Sequence, residues 1–295
     1  MRVFVTGATG FIGSAVVPEL IAAGHQVLGL ARSDANAEAL TRAGAEVHRG
    51  ELTDLDSLAA AARACDGVIH LAFIHDFSQY MQNNAIDLAA VKAMTGVLEG
   101  TGKPFVGTSG TLMVAERGRA ATEDDAPLDL TGPRAAAEQA VLEASGRGVR
   151  GSFVRLSPTV HGEGDGGFIK LIVGAAKRTG VAAYVGEGAS RWPAVHRLDA
   201  ARLFRLAVEK APAGSRLHGA AEEGVTQRAI AETIGAGLGL PVRSIAPEEA
   251  MAQFEFLGMF IARDDPTSSA ITRETLGWTP TGPDLLTDIR DHYLA

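Results

Sequence analysis

A glycine-rich motif directly follows the first hydrophobic run of the chain. Residues 2–6 (RVFVT) have the composition of a β-strand, residues 11–23 have the period of a helix, and the motif TGATGFIG between them places glycines at positions 7, 10 and 13. Such a loop allows a sharp turn, close approach of the backbone to a pyrophosphate and tight helix–strand packing, while the helix amino terminus favours negative charge. The order strand, loop, helix therefore predicts a dinucleotide-binding fold.

Short β-branched runs alternate with longer Ala/Leu-rich segments through the first half of the chain. This is the pattern of parallel strands joined by crossover helices. The predicted strands cover residues 2–6, 26–30, 46–49, 67–72, 105–108 and 152–156, and the predicted helices cover residues 11–23, 35–43, 55–64, 86–98 and 134–144. We therefore predict an α/β fold with a doubly wound parallel sheet, that is, a Rossmann fold.

The pattern loosens from residue 157 onward. A Gly-rich stretch (HGEGDGG) is followed by predicted helices at 168–178, 200–210, 227–237, 247–256 and 268–276, and residues 195–198 with the helix at 200–210 have the character of a return to the first domain. We expect residues 1–156 plus about 195–220 to form the NAD(P)-binding domain. Residues from about 157–194 plus 221–295 are then expected to form a smaller, mainly C-terminal substrate lobe.

Charge and cysteine content exclude several classes of partner. There are 35 acidic and 27 basic residues, a net charge of −8, and no dense run of Lys or Arg, which argues against nucleic acid. Cys65 is the only cysteine, so an intramolecular disulfide and a Cys-based metal cluster are ruled out. The HGEGD segment offers no second His at helical spacing, and we predict no metal site. Neither a long apolar run nor a signal layout occurs, so we expect no membrane association and a cytoplasmic protein.

The residues after the second predicted strand indicate which nicotinamide cofactor is bound. For NAD an acid is expected there to hold the ribose, but the sequence has Arg32 and Ser33 at this point. A guanidinium suits a 2′-phosphate, so NADP is predicted in preference to NAD, although Asp34 is close enough to turn towards a ribose. After the third strand, Glu51 and Leu52 either place a carboxylate near the adenine amino group or supply a helix-capping acid.

Six motifs occur in order along nearly the whole chain. They are TGATGFIG, HLA at the end of the fourth strand, TSGT after the fifth, RLSPTVHGEGD after the sixth, VHRLDAARL and LGWTP. In this order they resemble the extended branch of the short-chain dehydrogenase/reductase superfamily, which contains the nucleotide-sugar epimerases and dehydratases. The resemblance implies a bound NAD(P) and a small-molecule substrate.

The resemblance also implies which residues contact the cofactor. The glycine-rich loop would hold the pyrophosphate, the end of the HLA strand would line the nicotinamide, and the loop after the sixth strand would touch the carboxamide. The residues are Gly7, Thr9, Gly10, Phe11, Ile12 and Gly13 in the first group, Leu71, Ala72 and Phe73 in the second, and Ser157, Thr159 and Val160 in the third.

The sequence departs from the family pattern at the usual catalytic pair, a Tyr that exchanges a proton with the carbinol oxygen and a Lys four residues later. No such Lys follows any of the three tyrosines, Tyr80, Tyr184 and Tyr293. Alignment of the following helix places the Lys position on Arg134, which keeps a cation near the ribose, and the Tyr position on Leu130, which cannot move a proton. The chain therefore resembles atypical subgroups that keep the nucleotide fold without the catalytic Tyr.

Other side chains are candidates for polarising the substrate and moving the proton. Ser109 and Thr111 follow the fifth strand, where a hydroxyl either bonds a substrate carbonyl or satisfies strand-end backbone groups. His75 and Tyr80 follow the HLA motif at the edge of the sheet where ligands bind, and a His beside an acid can donate a proton near neutral pH. Two further alternatives are His161 and His196.

These features together predict an NADP-dependent oxidoreductase that transfers a hydride between nicotinamide and a small carbonyl, alcohol or imine. The alternative is a non-catalytic NADP(H)-binding sensor or scaffold, because such a protein does not need the Tyr. A nucleotide-sugar epimerase or dehydratase is less favoured, since that chemistry usually depends on the missing Tyr. The Ala-rich faces of helices 86–98 and 134–144 allow close packing and predict a homodimer, although they would also pack on the protein's own sheet.

Overall fold

The computed structural model describes residues 1–76, 79–129 and 133–295 of the chain. Its strands are β1 (Arg2–Thr6), β2 (Gln26–Ala31), β3 (Glu46–Arg49), β4 (Gly67–His70), β5 (Pro104–Gly110), β6 (Arg150–Leu156), β7 (Thr159–His161), β8 (Ala182–Val185), β9 (Arg191–His196), β10 (Ser215–Gly219), β11 (Glu222–Thr226) and β12 (Val242–Ile245). Its α-helices are α1 (Gly13–Ala22), α2 (Asp34–Arg42), α3 (Leu55–Ala64), α4 (Tyr80–Gly96), α5 (Pro133–Ser145), α6 (Phe168–Thr179), α7 (Arg197–Lys210), α8 (Gln227–Leu238), α9 (Ala250–Phe254), α10 (Ala270–Leu276) and α11 (Leu285–His292).

A seven-stranded parallel sheet forms the centre of the molecule, with the strand order β10-β6-β5-β4-β1-β2-β3. Successive side chains of a strand point to opposite faces, so β1 contributes side chains to two cores. Val3 and Val5 pack with α1 and α7, whereas Phe4 packs with α3 and α4 on the other face. Burial on both faces requires the continuous apolar runs that the sequence shows, and the doubly wound α/β prediction is confirmed.

The second half of the chain builds two smaller sheets. One has the order β11-β9-β7 and the other pairs β12 with β8, and a third apolar core fills the space between them and helices α6, α8 and α11. Residues 195–198, which we expect to return to the first domain, lie where the two parts meet, and Val195 packs in the first core. Residues 191–196 pair within the small sheet, while α7, which begins at Arg197, packs against the large one.

Two elements near the carboxyl terminus differ from the sequence prediction. The predicted helix 247–256 is interrupted, because Glu255 has a φ of 54° and the chain continues as a 3₁₀ turn that brings Gly258 against Ala250. A Cβ atom on Gly258 would lie 2.6 Å from the Ala250 carbonyl carbon, so only glycine fits this close approach. Helix α11 had no strong sequence signal and was not predicted.

The segment after α10 returns to the large sheet. Leu276 and Trp278 pack in the same core as β1, α1 and α7, and the Trp278 indole donates a hydrogen bond to the Asp199 carbonyl over 3.0 Å. The Asp199 carboxylate in turn accepts hydrogen bonds from the backbone of Thr281 and Gly282. The two halves of the chain are thus interleaved. Within the described ranges, every helix is too short or too polar to span a membrane.

Candidate functional site

The glycine-rich loop joins β1 to α1 at the carboxyl edge of the large sheet. Gly7 has a φ of 65°, and a Cβ atom there would lie 2.7 Å from the Ala72 amide nitrogen. A Cβ atom on Gly13 would lie 2.1 Å from the Gly7 carbonyl oxygen, and Gly10 donates to that same oxygen over 2.9 Å. No side chain of the described residues caps α1 at Ile12. The loop therefore leaves room at the amino terminus of α1, where a pyrophosphate would lie, and its shape fits a dinucleotide.

The residues at the end of β2 differ in how they are held. Ser33 caps α2 by accepting a hydrogen bond from the Asn36 amide over 3.2 Å. Asp34 forms an ion pair with Arg49 of β3. Arg32 is exposed and forms no hydrogen bond or ion pair with any residue that the structure describes. The acid that could turn towards a ribose is thus engaged by a cation, while the guanidinium remains available.

Glu51 and Leu52 lie in the connection from β3 to α3. The exposed Glu51 carboxylate accepts a hydrogen bond from the Thr53 hydroxyl over 2.9 Å, and Leu52 is half-buried against the second core. Helix α3 is capped by Asp54, whose carboxylate accepts from the Ser57 amide over 3.1 Å. The interpretation of Glu51 as a capping acid is therefore wrong.

A chain of buried polar contacts begins where β1 and β4 end. Thr6 and His70 are register partners, so their side chains lie together, and the Thr6 hydroxyl is 2.7 Å from His70 Nδ1. The same hydroxyl accepts a hydrogen bond from the Ala72 amide over 3.2 Å. His70 Nε2 is 3.0 Å from a carboxylate oxygen of Asp87, on the inner face of α4. This chain fixes the backbone at Ala72 to α4.

Arg134 completes this chain from helix α5. Its guanidinium donates to the second carboxylate oxygen of Asp87 over 3.0 Å and to the Thr108 carbonyl over 2.9 Å. It also lies 4.2 Å from the centre of the Phe73 ring, close enough for a cation–π contact. Arg134, at the predicted Lys position, thus contacts Asp87, the Thr108 carbonyl and the Phe73 ring. Leu130, at the predicted Tyr position, lies outside the described residues.

One of the predicted proton-transfer residues, His75, lies near this guanidinium. The rings of Phe73 and His75 meet edge to face, with centroids 5.4 Å apart. Burial lowers the pKa of His75, and the positive charge of Arg134 lowers it further. Tyr80 is the first residue of α4 and its side chain is 39% exposed. His75 is therefore neutral at pH 7. It lies beside the side chains of Thr6, His70, Asp87 and Arg134, which we call the Arg134 cluster.

The hydroxyls of Thr108, Ser109 and Thr111, at the end of β5 and just after it, all donate hydrogen bonds. Thr108 donates to the His70 carbonyl over 2.8 Å, as expected for a strand-end hydroxyl. Ser109 instead donates to the buried Glu138 carboxylate over 3.2 Å, and Thr111 donates to the buried Asp265 carboxylate over 2.6 Å. Burial raises the pKa of Asp265 to about 7. Ser109 and Thr111 thus bond acids rather than backbone groups, unlike the backbone alternative considered from the sequence.

Ser109 meets Glu138 because of the strand register. Ser109 pairs with Arg155 of β6, whose guanidinium is buried and donates to Glu138 with its Nε over 3.0 Å. Arg216 of β10 donates to the same carboxylate over 3.1 Å. Glu138 is therefore shared by two guanidinium groups and one hydroxyl, which compensates the cost of burying its charge.

The loop after β6 offers mainly backbone groups to a ligand. The buried Ser157 and Thr159 hydroxyls donate to the carbonyls of Gly219 and Pro193 over 2.8 and 2.6 Å. Val160 packs against the first core. Next to this loop, His161 lies 2.7 Å from the Asp288 carboxylate and edge to face with His196. These two histidines are therefore parts of the packing between β7, β9 and α11.

Sequence reasoning missed the acids that organise this region. Each of these acids bonds side chains from elements that are far apart in the sequence, and no local sequence pattern predicts such a contact. The acids are Asp87, Glu138 and Asp265. His70 is different, because it opens the HLA motif and its strand-end position could have drawn attention to it. The residues that hold Arg134 and the β5 hydroxyls emerge only from the fold.

The geometry defines a nucleotide-binding protein with a doubly wound sheet, and the comparisons place it in a family. Residues 3–218 match the model of the NAD dependent epimerase/dehydratase family. The chain belongs to this family, and the predicted relationship to extended short-chain dehydrogenases/reductases is confirmed.

The relatives differ in what is known of them. An uncharacterised protein of Schizosaccharomyces pombe is 47% identical over 98% of both chains. A 2-alkyl-3-oxoalkanoate reductase of Stenotrophomonas maltophilia is 30% identical over 82% of this chain and 77% of its own. Among solved structures, a UDP-glucose 4-epimerase of Thermus thermophilus in complex with NAD is similar with a TM-score of 0.76, at 21% identity over 99% of both chains. That similarity concerns the fold.

Proposed function

We propose that this protein is an NADP-dependent oxidoreductase that transfers a hydride between the nicotinamide and a small carbonyl, alcohol or imine. The observation that carries the proposal is the arrangement after β2, where Arg32 is exposed and available while Arg49 engages Asp34. A guanidinium attracts a 2′-phosphate, whereas NAD needs an acceptor for its ribose hydroxyl. The name of the Stenotrophomonas reductase supports carbonyl reduction.

The chain's own residues would hold the cofactor along the carboxyl edge of the sheet. The loop from Gly7 to Gly13 would take the pyrophosphate, Ala72 and Phe73 would line the nicotinamide, and Arg134 would lie near the ribose. The nicotinamide supplies or accepts the hydride when it is bound. The domain division predicted from the sequence then makes residues from about 157–194 plus 221–295 the substrate side of the cleft.

His75 is the proposed proton-transfer group. Since its pKa is lowered by burial and by Arg134, its imidazole is neutral at pH 7 and can accept the hydroxyl proton of an alcohol during oxidation. In the reverse direction, reduction of a carbonyl requires protonated His75 and is expected to accelerate as the pH falls. Tyr80 is the second candidate, because it is exposed at the start of α4.

One observation favours the alternative of a non-catalytic NADP(H) sensor. The hydroxyls of Ser109 and Thr111, at the position where the family usually polarises its substrate, both donate to buried carboxylates. A protein that only reports cofactor status needs neither hydroxyl. An epimerase or dehydratase is less favoured, since none of the three tyrosines is followed by a Lys four residues later.

The first experiment is a titration with NADPH and with NADH, followed by oxidation at 340 nm against aldehydes, ketones and imines. We expect NADPH to bind more tightly, and Arg32→Ala to weaken NADPH by about tenfold while leaving NADH unchanged, as loss of one charge-assisted bond implies. Arg243→Ala is the control, because Arg243 is exposed on β12. Tighter NADH binding would contradict the cofactor proposal, and tight NADPH binding without any turnover would favour the sensor.

We also propose a homodimer in which α4 and α5 of two copies pack together. The two helices contact each other within one copy, and α4 carries small residues together with Met81, which is 68% exposed. Sedimentation should give a dimer, and Ala89→Arg on α4 should convert it to a monomer. A monomeric wild-type protein would overturn this proposal.

A further inference from the structure

A cluster of aromatic rings lies in the second half of the chain. Phe168 of α6 lies 6.0 Å from Trp192 and 5.4 Å from Phe260, measured between ring centroids, and Trp192 stacks on Phe260 at 6.3 Å. Phe256 meets both Phe168 and Phe260. Trp192 is fully buried, but Phe168 and Phe260 are only half-buried and keep part of their surface accessible.

The cluster adjoins the segment that leaves β5. The Trp192 indole donates to the Arg263 carbonyl over 3.2 Å, and the Arg263 side chain donates to Glu116 over 3.0 Å. The Glu116 amide donates back to the Asp264 carbonyl. Thr111 donates to Asp265, which is two residues from Arg263, so the aromatic rings lie close to the end of β5. This is the side on which we propose that the substrate binds.

The cations around the cluster are largely neutralised by acids. Arg191, next to Trp192, donates to both carboxylate oxygens of Asp264 over 3.0 and 2.7 Å. Arg263 is paired with Glu116, and Arg178 is paired with Glu255. Lys170, two residues after Phe168 on α6, is exposed and forms no ion pair with a described residue.

This combination discriminates between two kinds of substrate. A nucleotide diphosphate sugar brings the charges of two phosphate groups and needs cations that are not already engaged. A flat, uncharged ring needs accessible apolar and aromatic surface, which Phe168 and Phe260 provide. Beside the rings, the Lys170 ammonium alone does not balance a diphosphate.

We propose that the substrate is an uncharged aromatic aldehyde or ketone whose ring packs on Phe168 and Phe260. This inference rests on the proposed oxidoreductase function. In the reaction, NADPH would give a hydride to the carbonyl carbon and protonated His75 would give a proton to the carbonyl oxygen. The products are an aromatic alcohol, NADP⁺ and neutral His75.

The test compares three aldehydes with NADPH: benzaldehyde, cyclohexanecarbaldehyde and 4-carboxybenzaldehyde. We expect kcat/KM for benzaldehyde to exceed that for each of the others by about tenfold, because the saturated ring loses stacking and the carboxylate finds no free cation. Phe260→Leu should reduce the preference for benzaldehyde over cyclohexanecarbaldehyde and leave NADPH affinity unchanged. The neighbouring Met259→Leu is the control, since Met259 is 66% exposed.

A second measurement does not depend on turnover. Trp192 stacks on Phe260, so its fluorescence in the NADP⁺ complex should report benzyl alcohol binding more tightly than cyclohexylmethanol, again by about tenfold. Equal affinities, or equal rates for the aldehydes, would overturn the aromatic substrate and leave the oxidoreductase standing. Selective binding without turnover of any aldehyde would overturn the oxidoreductase instead. Turnover of UDP-glucose in preference to benzaldehyde would overturn the substrate class outright.

Discussion

The glycine-rich loop and the Arg134 cluster lie on the same edge of the sheet but are built from different kinds of contact. The loop is shaped by backbone atoms that approach each other where a Cβ atom has no room. The cluster is held by a chain of side chains from Thr6 through His70 and Asp87 to Arg134, contributed by two strands and two helices. A backbone constraint leaves a local sequence signature, whereas a side-chain network spread along the chain does not.

A substitution in the glycine-rich loop should have a larger effect than one in the Arg134 cluster. In Gly13→Ala the new Cβ meets the Gly7 carbonyl, so the loop must shift, and we expect NADPH affinity to fall by about 100-fold because a displacement of about 1 Å has effects of that size. Titration with NADPH measures it. Gly96→Ala is the control, since nothing lies within 4 Å of a Cβ atom there. Unchanged affinity in Gly13→Ala would mean that the loop does not bind the cofactor.

Loss of a side chain from the Arg134 cluster should destabilise the folded protein. Asp87→Ala removes the acceptor shared by His70 and Arg134 and leaves a buried polar group unpaired, so the free energy of unfolding should fall by about 2–4 kcal/mol. Urea unfolding measures the change, with Asp291→Ala on the exposed side of α11 as the control. If both variants lost the same stability, Asp87 would not organise the cluster.

Titration of Asp265 tests the buried polar contacts around Thr111. Burial raises the pKa of its carboxyl to about 7, so between about pH 4 and 7 the unfolded chain releases this proton while the native protein keeps it. The free energy of unfolding should therefore fall as pH rises through that window, by up to about 1.4 kcal/mol per pH unit.

Asp265→Asn should remove this dependence, because the amide does not titrate and its oxygen can still accept the Thr111 hydrogen bond. Urea unfolding at several pH values between 4 and 8 should show that the free energy of unfolding of the variant rises relative to that of the wild type as the pH rises. Asp291→Asn provides the matched control. Parallel pH profiles for wild type and Asp265→Asn would show that the native carboxyl titrates normally.

Ser33 gives the smallest expected effect and separates capping from cofactor choice. Ser33→Ala removes the cap of α2 and should lower the free energy of unfolding by about 1 kcal/mol. Ser33→Asp keeps a capping oxygen but adds a negative charge beside Arg32, so it should retain stability and weaken NADPH relative to NADH. Thermal unfolding and cofactor titration measure the two effects. Unchanged NADPH binding in Ser33→Asp would place the 2′-phosphate elsewhere.

Residues with local signatures were predictable, and residues that depend on distant partners were not. Most of the first six strands of the large sheet follow from apolar runs, but β10 (SRLHG) is short and mostly polar, and it completes the sheet only because β6 pairs with it. Likewise, Arg32 could be read from its place after β2. The engagement of Ser109 by Glu138 required the β5–β6 register, which brings Arg155 and its acid to the same point.

The packing of Trp278 in the first core limits how the second lobe can be exchanged between genes. A gene truncated after residue 220 would encode the whole seven-stranded sheet, yet its product would lack Leu276, Trp278 and the backbone donors that satisfy Asp199. Exchange of the second lobe as a unit by recombination would therefore remove part of the first core. New substrate preferences in this lineage are expected to arise by point substitution on a chain inherited whole.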